Sequence, residues 1–300
     1  MANELTGKVA VITGGAGGIG KATAGLLAER GMQVVIADIE QKALEAAVGE
    51  LSDRSLDVFG VVTDVTDFAS VCGLRDQALE RYGKVHVAFL NAGVAGFGRG
   101  QMWELDLKDW EWGLAVNVWG VIHGIKALLP VMIDQQDEGH VVITSSSVGV
   151  IAPTPNGGIY NMTKAADLSL AESLYGQLKN MGSLVSVSVL VPPGTINTGL
   201  FTSNRNRQAH FEPETPRLQQ PTLTYDEMLR RMNASGNPRQ RVEPVEVAEY
   251  VVDGITNSTF WILPDKRHPD VQTNFDAIIK GRSESMLQRT DPMNYMQKAT

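Results

Sequence analysis

Short apolar runs alternate with longer stretches of helical periodicity as far as about residue 200, and no other feature constrains the fold as strongly. The residues within each run do not alternate in polarity, which is typical of strands buried on both faces of a parallel sheet. Strand and helix in strict turn favour right-handed crossovers, and therefore a doubly wound α/β sheet in three layers, αβα. The predicted strands are 8–13, 33–38, 57–63, 85–91, 140–145 and 186–191.

The predicted helices lie between these strands, at about 19–30, 41–51, 67–82, 107–135 and 158–180. Ligands of doubly wound sheets bind beyond the carboxyl ends of the strands. Polar residues and glycines directly after a strand are therefore the first candidates for a functional site.

The pattern changes after about residue 199, where prolines, arginines and isolated large apolar side chains replace the earlier periodicity. We predict a substrate lid at about 199–236, followed by a helix at 243–255 and a strand at 260–263. A last helix is expected at about 270–281, within a C-terminal extension of about 265–300. The whole chain, 1–300, is expected to form a single domain.

The acidic composition bears on possible partners. A net charge of −8 argues against nucleic acid and anionic membranes, because both usually bind a basic face. The sequence has no long uncharged apolar window and no signal-peptide pattern at its start, so we expect a cytoplasmic protein that does not span a membrane. Its single cysteine, Cys72, is expected to be a buried thiol. The five histidines are dispersed, and no metal site is expected.

A glycine-rich turn, residues 13–20 (TGGAGGIG), joins the first predicted strand to the first helix. Glycines there let backbone N–H groups approach a pyrophosphate at the helix N-terminus. Asp38 ends the second strand, where its carboxylate can accept hydrogen bonds from the adenosine ribose and repel a 2′-phosphate. The cofactor is therefore expected to be NAD, with NADP disfavoured.

The same glycines nearly spell the phosphate-binding loop of an NTPase, from Gly15 to Lys21. That motif needs Ser or Thr after the lysine to hold Mg²⁺, and this chain has Ala22. The NTPase hypothesis is therefore disfavoured.

Tyr160 and Lys164 are four residues apart and share one face of a predicted helix. An unperturbed phenol has a pKa of about 10, and a nearby ammonium together with the positive nicotinamide ring of NAD⁺ would lower that pKa. Ser147, at the end of the fifth strand, could hydrogen-bond a substrate oxygen. The three residues together predict a centre that moves hydride on or off an alcohol carbon.

At these motifs the chain resembles the short-chain dehydrogenase/reductase family, over roughly residues 5–200. The resemblance implies a Rossmann-like fold and a catalytic tetrad of Asn117, Ser147, Tyr160 and Lys164, with Asn117 anchoring a water-linked proton relay. It also implies cofactor contacts by Gly14, Gly18, Ile19, Gly20, Asp38, Asp64, Val65, Asn91, Ala92, Gly93, Tyr160, Lys164, Pro193, Gly194, Ile196 and Thr198. Three consecutive serines, 145–147, leave the catalytic serine to be chosen by spacing, which favours Ser147 and keeps Ser146 as the alternative.

The expected reaction is hydride transfer between the nicotinamide cofactor and a secondary alcohol or ketone. Tyr160 would act as general acid and base, Lys164 would bridge the nicotinamide ribose, and the serine would orient the substrate oxygen. A bulky, hydrophobic substrate is expected, because an apolar wall is predicted from Phe97, Val148, Val150, Pro155 and Phe201. The resemblance also suggests a homodimer or homotetramer built on the fourth and fifth helices. The alternative is a non-catalytic NAD(H)-binding regulatory or scaffold protein, although such proteins typically lose a tetrad member.

Overall fold

The computed structural model describes residues 5–95, 97, 101–151, 153–155, 157–213, 225–234, 241–264, 269, 271–273 and 276. Its centre is a parallel sheet of seven strands in the order β3-β2-β1-β4-β5-β6-β7. This sheet confirms the predicted doubly wound α/β fold. The strands are β1 (Val9–Thr13), β2 (Gln33–Asp38), β3 (Val58–Val62), β4 (Val87–Leu90), β5 (Gly139–Thr144), β6 (Val185–Leu190) and β7 (Trp261–Ile262).

The helices connect the strands and cover both faces of the sheet. The longest, α7, ends with Asn180 at the residue predicted from the sequence. The helices are α1 (Gly18–Glu29), α2 (Gln41–Asp53), α3 (Phe68–Tyr82), α4 (Leu107–Gly113), α5 (Gly120–Asp134), α6 (Ser147–Val150), α7 (Gly158–Asn180), α8 (Tyr225–Ala234) and α9 (Pro244–Thr256).

The strand order reverses direction next to β1. In β1, Val11 pairs with Val35 of β2 on one side and with Ala88 of β4 on the other. Because β2 and β3 lie on one side of β1 and β4 to β7 on the other, a crevice opens at the carboxyl ends of β1 and β4. Ligands of doubly wound sheets bind in such a crevice.

Two apolar layers hold the helices on the sheet. On one face α1, α2 and α9 contribute side chains such as Leu27, Leu51 and Val251, and on the other face α3, α5 and α7 contribute Leu74, Leu128 and others. Burying one such side chain contributes about 1.5–3 kcal/mol to the free energy of unfolding. The sheet edge that carries the candidate site therefore rests on a rigid, close-packed support.

The fourth predicted helix, 107–135, differs from the expectation because it is not one regular helix. A π-helical turn, Leu114–Trp119, separates α4 from α5. A π-turn inserts an extra residue and rotates the side chains around it, and hydrophobic periodicity cannot reveal this. The turn contains Asn117, which is wholly buried.

Among the described residues, one helical stretch, Leu107–Asp134, is long and apolar enough to cross a membrane by composition alone. Half of its most apolar window is buried in the protein. The burial is that of a helix packed on the sheet. Cys72, expected to be buried, is only half-buried on α3.

The predicted lid is described at 199–213 and 225–234, where it forms short 3₁₀ turns (Gly199–Asn206 and Ala209–Phe211) and α8. Of the predicted last helix, residues 271–273 and 276 are described and are helical. Apart from these residues and 269, the predicted C-terminal extension lies outside the described residues. That the chain forms a single domain stays a prediction.

Candidate active site

The glycine turn lies at the carboxyl end of β1 and leads directly into α1. The N-cap of α1 is Gly17, no side chain caps the helix, and its first turn holds no acidic residue. The N–H groups of that turn therefore keep their hydrogen-bonding capacity for an anion, and the helix dipole favours negative charge there. The site fits the pyrophosphate of a dinucleotide.

Two of these glycines are required by close contacts. Gly18 has a φ of +52°, and a Cβ there would lie 2.9 Å from the Thr198 methyl carbon. At Gly20 a Cβ would collide with the carbonyl oxygen of Gly14. Larger residues would push α1 away from the turn and from the segment after β6, so the glycines preserve a narrow cradle.

Asn91 and Thr13 join the turn to the end of β4. The Thr13 hydroxyl accepts hydrogen bonds from the backbone N–H groups of Asn91 and Ala92, at 3.0 and 3.1 Å. The Asn91 side-chain amide donates to the carbonyl oxygens of Thr13 and Gly14, at 3.2 and 3.3 Å. Asn91 and Ala92, predicted as cofactor contacts, thus support the turn through the backbone.

Asp38 lies at the end of β2, beside the turn. Its carboxylate accepts hydrogen bonds from the backbone N–H groups of Ala16 and Glu40, both at 3.1 Å. Burial raises the pKa of Asp38 above its ordinary value, although these hydrogen bonds oppose the rise. The carboxylate is therefore fixed in place at the end of the crevice where the predicted adenosine ribose would lie.

Asp64 and Val65 follow β3, at the adenine end of the predicted site. The Asp64 side chain accepts hydrogen bonds from the Thr66 N–H at 2.9 Å and from the Gln208 side-chain amide at 2.8 Å. The Val65 carbonyl oxygen lies 2.8 Å from a ring nitrogen of His123. Gln208 belongs to the predicted lid, so the lid contacts the adenine end, which the sequence did not suggest.

The segment after β6 contains the predicted contacts Pro193, Gly194, Ile196 and Thr198. Ile196 pairs with Val242 in an isolated parallel bridge, and the Thr198 hydroxyl accepts the N–H of Leu200 at 3.3 Å. The segment approaches the glycine turn where Thr198 contacts Gly18. It thus faces the cradle from the far side of the crevice.

Tyr160 and Lys164 lie on α7, as predicted, with the Lys164 ammonium 5.9 Å from the centre of the Tyr160 ring. Lys164 is buried, and its Nζ donates to the Thr144 carbonyl oxygen and to an Asp167 carboxylate oxygen, each at 2.9 Å. Gly93 is adjacent, since a Cβ there would lie 3.6 Å from Nζ.

The charges around Tyr160 act in opposite directions. Burial raises the pKa of the Tyr160 phenol above its ordinary value, whereas the Lys164 charge and the Ser146 hydroxyl lower it. Asp167 adds a smaller upward effect on this pKa. The Lys164 effect on the Tyr160 pKa has the direction expected from the sequence, but burial has the larger effect and the net shift is upward.

The serine beside Tyr160 differs from the one favoured by spacing. The Ser146 hydroxyl hydrogen-bonds the Tyr160 phenol and lowers its pKa. Ser145 donates to the Lys164 carbonyl oxygen at 2.6 Å, and Ser146 is the N-cap of α6, whose first residue is Ser147. This contact favours Ser146, which the sequence left open as the alternative to Ser147, and the choice between the two serines stays a prediction.

Asn117 connects three elements of the site. Its side-chain oxygen accepts the Val94 N–H at 2.7 Å, and its amide donates to the Val94 carbonyl oxygen and the Thr163 hydroxyl, both at 3.0 Å. These bonds tie the loop after β4 to α7 next to Lys164. The proton relay implied by the family resemblance stays a prediction.

The described part of the lid is fixed to the domain by side chains that sequence reasoning did not single out. Arg205 donates to Glu40 at 2.6 Å, and the Ser203 hydroxyl donates to the Ala95 carbonyl oxygen at 2.7 Å. A buried ion pair joins Arg207 to Asp109 of α4 at 2.8 Å. No motif marks these residues, because each contact joins positions far apart in the sequence.

The Arg207 guanidinium also lies over the Trp112 ring, 4.1 Å from its centre, and burial lowers the pKa of Arg207. Trp112 is fully buried. The ion pair and the ring together place Arg207 inside the protein, so this contact holds the lid more firmly than an exposed pair would.

The predicted apolar wall is only partly available to a substrate. Val150 is buried in a core cluster with Val191 and Leu263, and so does not line a binding site. Phe97 packs edge-on against Trp112, with ring centres 5.7 Å apart. Phe201 and Pro155 are exposed, and Val148 is half-buried.

Within the described residues, no group of three or more His, Cys, Asp or Glu side chains could hold a metal ion. The polar groups of the site are instead amides, hydroxyls, one phenol, one ammonium and carboxylates that lie apart from one another, such as Asp38 and Asp167. Such a set suits proton transfer and dinucleotide binding.

The family model for short chain dehydrogenases matches residues 8–209. The chain belongs to the short-chain dehydrogenase/reductase family. A member of this family from Burkholderia phymatum, solved in complex with NAD, is 37% identical, with a TM-score of 0.82 over 93% of this chain and 97% of that one. The chain is therefore an oxidoreductase of this family with a nicotinamide-cofactor fold.

Two curated relatives of this short-chain dehydrogenase extend the comparison. A CLA biosynthesis dehydrogenase/reductase from Lactiplantibacillus plantarum is 30% identical over 279 residues, covering 92% of this chain and 93% of the relative. A 1-deoxy-11-beta-hydroxypentalenate dehydrogenase from Streptomyces avermitilis is 38% identical over 195 residues, 65% of this chain and 71% of the relative. The family match covers β1 to β6 and the residues of the candidate active site.

Proposed function

We propose that this protein is an NAD-dependent dehydrogenase that interconverts a bulky, hydrophobic secondary alcohol and its ketone. The observation that carries the proposal is the Ser146–Tyr160–Lys164 group at the carboxyl end of β5, beside the cradle for a dinucleotide. Family membership supports an oxidoreductase, and the group supplies the proton transfer that alcohol oxidation needs.

The cradle fits a dinucleotide because the first turn of α1 is uncapped and the glycines keep the crevice narrow. We propose that Gly18, Ile19 and Gly20 contact the pyrophosphate. Asp38 would hold the adenosine ribose, and Thr198 would hold the carboxamide. A bound nicotinamide ring supplies the hydride acceptor or donor.

The preference for NAD rests on Asp38. Its carboxylate is fixed by the Ala16 and Glu40 N–H groups and would repel a 2′-phosphate. Glu40 adds a second negative charge nearby, paired with Arg205. The relative from Burkholderia phymatum, which carries NAD in its structure, supports the same assignment.

In the oxidation direction, Tyr160 takes the proton from the substrate hydroxyl at its phenolic oxygen. Ser146 holds the same substrate oxygen, so the proton and the leaving hydride are oriented together. Lys164 stabilises the phenolate and uses two of its three N–H donors on Thr144 and Asp167. We assign the third donor to the nicotinamide ribose. The ketone is reduced by the same steps in reverse.

The pH dependence follows from the Tyr160 phenol. Alcohol oxidation needs the phenolate, which is populated above the Tyr160 pKa, so its rate is expected to rise with pH. Ketone reduction needs the protonated phenol, so its rate is expected to fall as pH passes that pKa. Burial raises this pKa and the Lys164 charge lowers it, and the positive charge of a bound NAD⁺ would lower it further.

The substrate class rests on the residues left to line the cleft. Val148 and Phe201 are apolar and accessible. The relative from Streptomyces avermitilis is named for a hydroxypentalenate, which supports a bulky alcohol. A cytoplasmic homodimer or homotetramer stays a prediction.

A panel of aryl, alicyclic and polyol substrates tests the proposal, with NAD⁺ and NADP⁺ compared at saturation and reduced cofactor followed by absorbance. We expect turnover of bulky secondary alcohols with NAD⁺. A marked preference for polyols would contradict the substrate class, and a preference for NADP⁺ would contradict the assignment of Asp38.

The alternative, a non-catalytic regulatory or scaffold protein that binds NAD(H), predicts cofactor binding without turnover of any alcohol. Thermal stabilisation by NADH distinguishes binding from its absence, because a ligand of the native state raises the melting temperature. Stabilisation by NADH with an inactive panel would favour this alternative.

A further inference from the structure

A buried carboxylate lies next to the candidate catalytic lysine. Asp167 follows Lys164 by one helical turn on α7 and is wholly buried, and its Oδ2 accepts a hydrogen bond from Lys164 Nζ at 2.9 Å. Its other oxygen, Oδ1, is buried and has no hydrogen-bond partner among the described residues. Burial raises the pKa of Asp167, and the Lys164 charge opposes that rise. Burying a carboxylate with one oxygen unpaired is costly, so its place beside Lys164 calls for an explanation beyond packing.

We propose that Asp167 is a positioning residue for the reaction. It holds the Lys164 ammonium in place and charged beside Tyr160, and thereby sets the acid and alkaline limits of turnover. This inference rests on the proposed function, because it assigns Asp167 a role in the same proton transfer.

The Lys164 side chain is long, so its neighbours must hold the ammonium in place. A lysine has a flexible four-carbon stem, and fixing its ammonium in a single place costs side-chain entropy. Lys164 is fixed from two sides, by the Thr144 carbonyl oxygen at the end of β5 and by Asp167 on its own helix. Ser145 also donates to the Lys164 carbonyl oxygen at 2.6 Å, which fixes the backbone.

The Asp167 charge acts on both Lys164 and Tyr160. Burial alone would lower the pKa of Lys164, but the Asp167 carboxylate raises it, so the net shift is upward and the ammonium stays charged. The same carboxylate raises the pKa of Tyr160. A negative charge favours the protonated form of both neighbours, so its removal must move both titrations to lower pH.

The surrounding elements leave Asp167 as the charge that opposes Lys164. The described parts of β5, β6, α6 and the π-turn that pack against α7 present neutral groups near the pair, such as Thr144 and Ser146. Helix α4 also packs against α7 and brings the charged Asp109, which is paired with Arg207. Lys108 and Glu111 of α4 pair with each other at 2.7 Å.

The test is the pH profile of kcat for alcohol oxidation in Asp167→Asn, which keeps the shape and removes the charge. We expect the rising part of the kcat profile, which reports ionisation of Tyr160, to move to lower pH, so that kcat at pH 6 relative to its maximum rises about tenfold. We also expect kcat to fall in the alkaline range, because Lys164 then loses its charge at lower pH. The dissociation constant of NADH should change less than about threefold. Asp167→Glu restores the charge and should return the profile toward that of the wild type.

A merely structural role predicts a different result. If kcat of Asp167→Asn falls equally at all pH values and neither limb moves, the proposal is wrong. Should the asparagine variant fail to fold, as judged by circular dichroism, Asp167→Ser is measured in its place, because a hydroxyl leaves room for a water beside Lys164.

A second measurement separates this inference from the proposed function. Ionisation of Tyr160 is followed by near-ultraviolet absorbance, as the difference between Asp167→Asn and Asp167→Asn/Tyr160→Phe, and likewise for the wild type and Tyr160→Phe. We expect ionisation at lower pH when Asp167 is neutral. This readout needs no substrate, so it decides the role of Asp167 even if the alcohol panel is inactive. Equal midpoints would overturn the proposal.

Discussion

The turn after β1 and the segment after β6 face each other across the same crevice, yet different contacts hold them. The turn is held by backbone hydrogen bonds, helped by Thr13 and Asn91, between strands at the centre of the sheet. The described lid after β6 is held by a few side chains, chiefly Arg205, Arg207 and Ser203, that reach back to the domain.

The difference indicates how each region works. A cradle made of backbone groups on buried strands is rigid, which suits the pyrophosphate that we propose it binds. A segment held by a few side chains can vary in sequence without disturbing the sheet, so we assign the choice of substrate to the lid. The following predictions test that division.

The largest effect is expected at Tyr160. Tyr160→Phe removes the proton acceptor without changing the ring, so kcat should fall by about 10³–10⁴-fold. The dissociation constant of NADH, measured by fluorescence, should stay within about threefold of the wild type. Tyr175→Phe, at an exposed tyrosine on the same helix, is the matched control. Substantial activity in Tyr160→Phe would refute its role.

The buried ion pair tests how firmly the lid is held. Arg207→Met leaves Asp109 without its guanidinium partner, and the free energy of unfolding should fall by about 3–5 kcal/mol. The double variant Arg207→Met/Asp109→Leu should regain part of that loss, because the buried negative charge is removed together with the guanidinium. Chemical denaturation measures both. If the single variant loses under about 1 kcal/mol, the lid is not held by this contact.

Variants of Ser146 and Ser147 test which of the two serines orients the substrate oxygen. Ser146→Ala removes the hydroxyl next to Tyr160, and we expect kcat to fall about 100-fold. Ser147→Ala, one residue along, should change kcat by less than about threefold. Steady-state kinetics on one alcohol decides between them. A larger loss of kcat in Ser147→Ala than in Ser146→Ala would favour Ser147, the serine indicated by its spacing from Tyr160.

A smaller effect is expected at Asp38, on the cofactor side of the site. Asp38→Ala removes the acceptor assigned to the adenosine ribose, so the KM for NAD⁺ should rise about 10- to 100-fold, as loss of a hydrogen bond to a charged group costs about 1.5–3 kcal/mol. The KM for NADP⁺ should fall in the same variant. Asp53→Ala, on the exposed end of α2, serves as the control. An unchanged ratio of the two KM values would count against Asp38.

Much of the candidate cofactor site could be predicted from the sequence, because the residues that mark it are close together along the chain. The glycine turn and Asp38 follow directly after buried apolar strands, and the parallel sheet brings strand ends together whatever the loops do. Tyr160 and Lys164 were predictable for a similar reason, since their spacing fits one turn of a regular helix.

The remaining features depend on contacts that no local pattern encodes. The contact between Ser146 and Tyr160 depends on how α6 packs against α7. The π-turn around Asn117 is invisible to periodicity, and Arg207 meets Asp109 across 98 positions of sequence. Asp167 had a local signal, a carboxylate on the apolar side of α7, but only burial showed that it faces Lys164.

The central claim is that the group around Tyr160 transfers hydride between an alcohol carbon and a nicotinamide. A single turnover with an alcohol deuterated at the carbinol carbon and with NAD⁺ tests this directly, by mass spectrometry and NMR of the reduced cofactor. We predict deuterium at C4 of the nicotinamide in the wild type, and none in Tyr160→Phe within the time of one wild-type turnover. A cofactor reduced without deuterium, or bound and never reduced by any alcohol of the panel, would contradict the account.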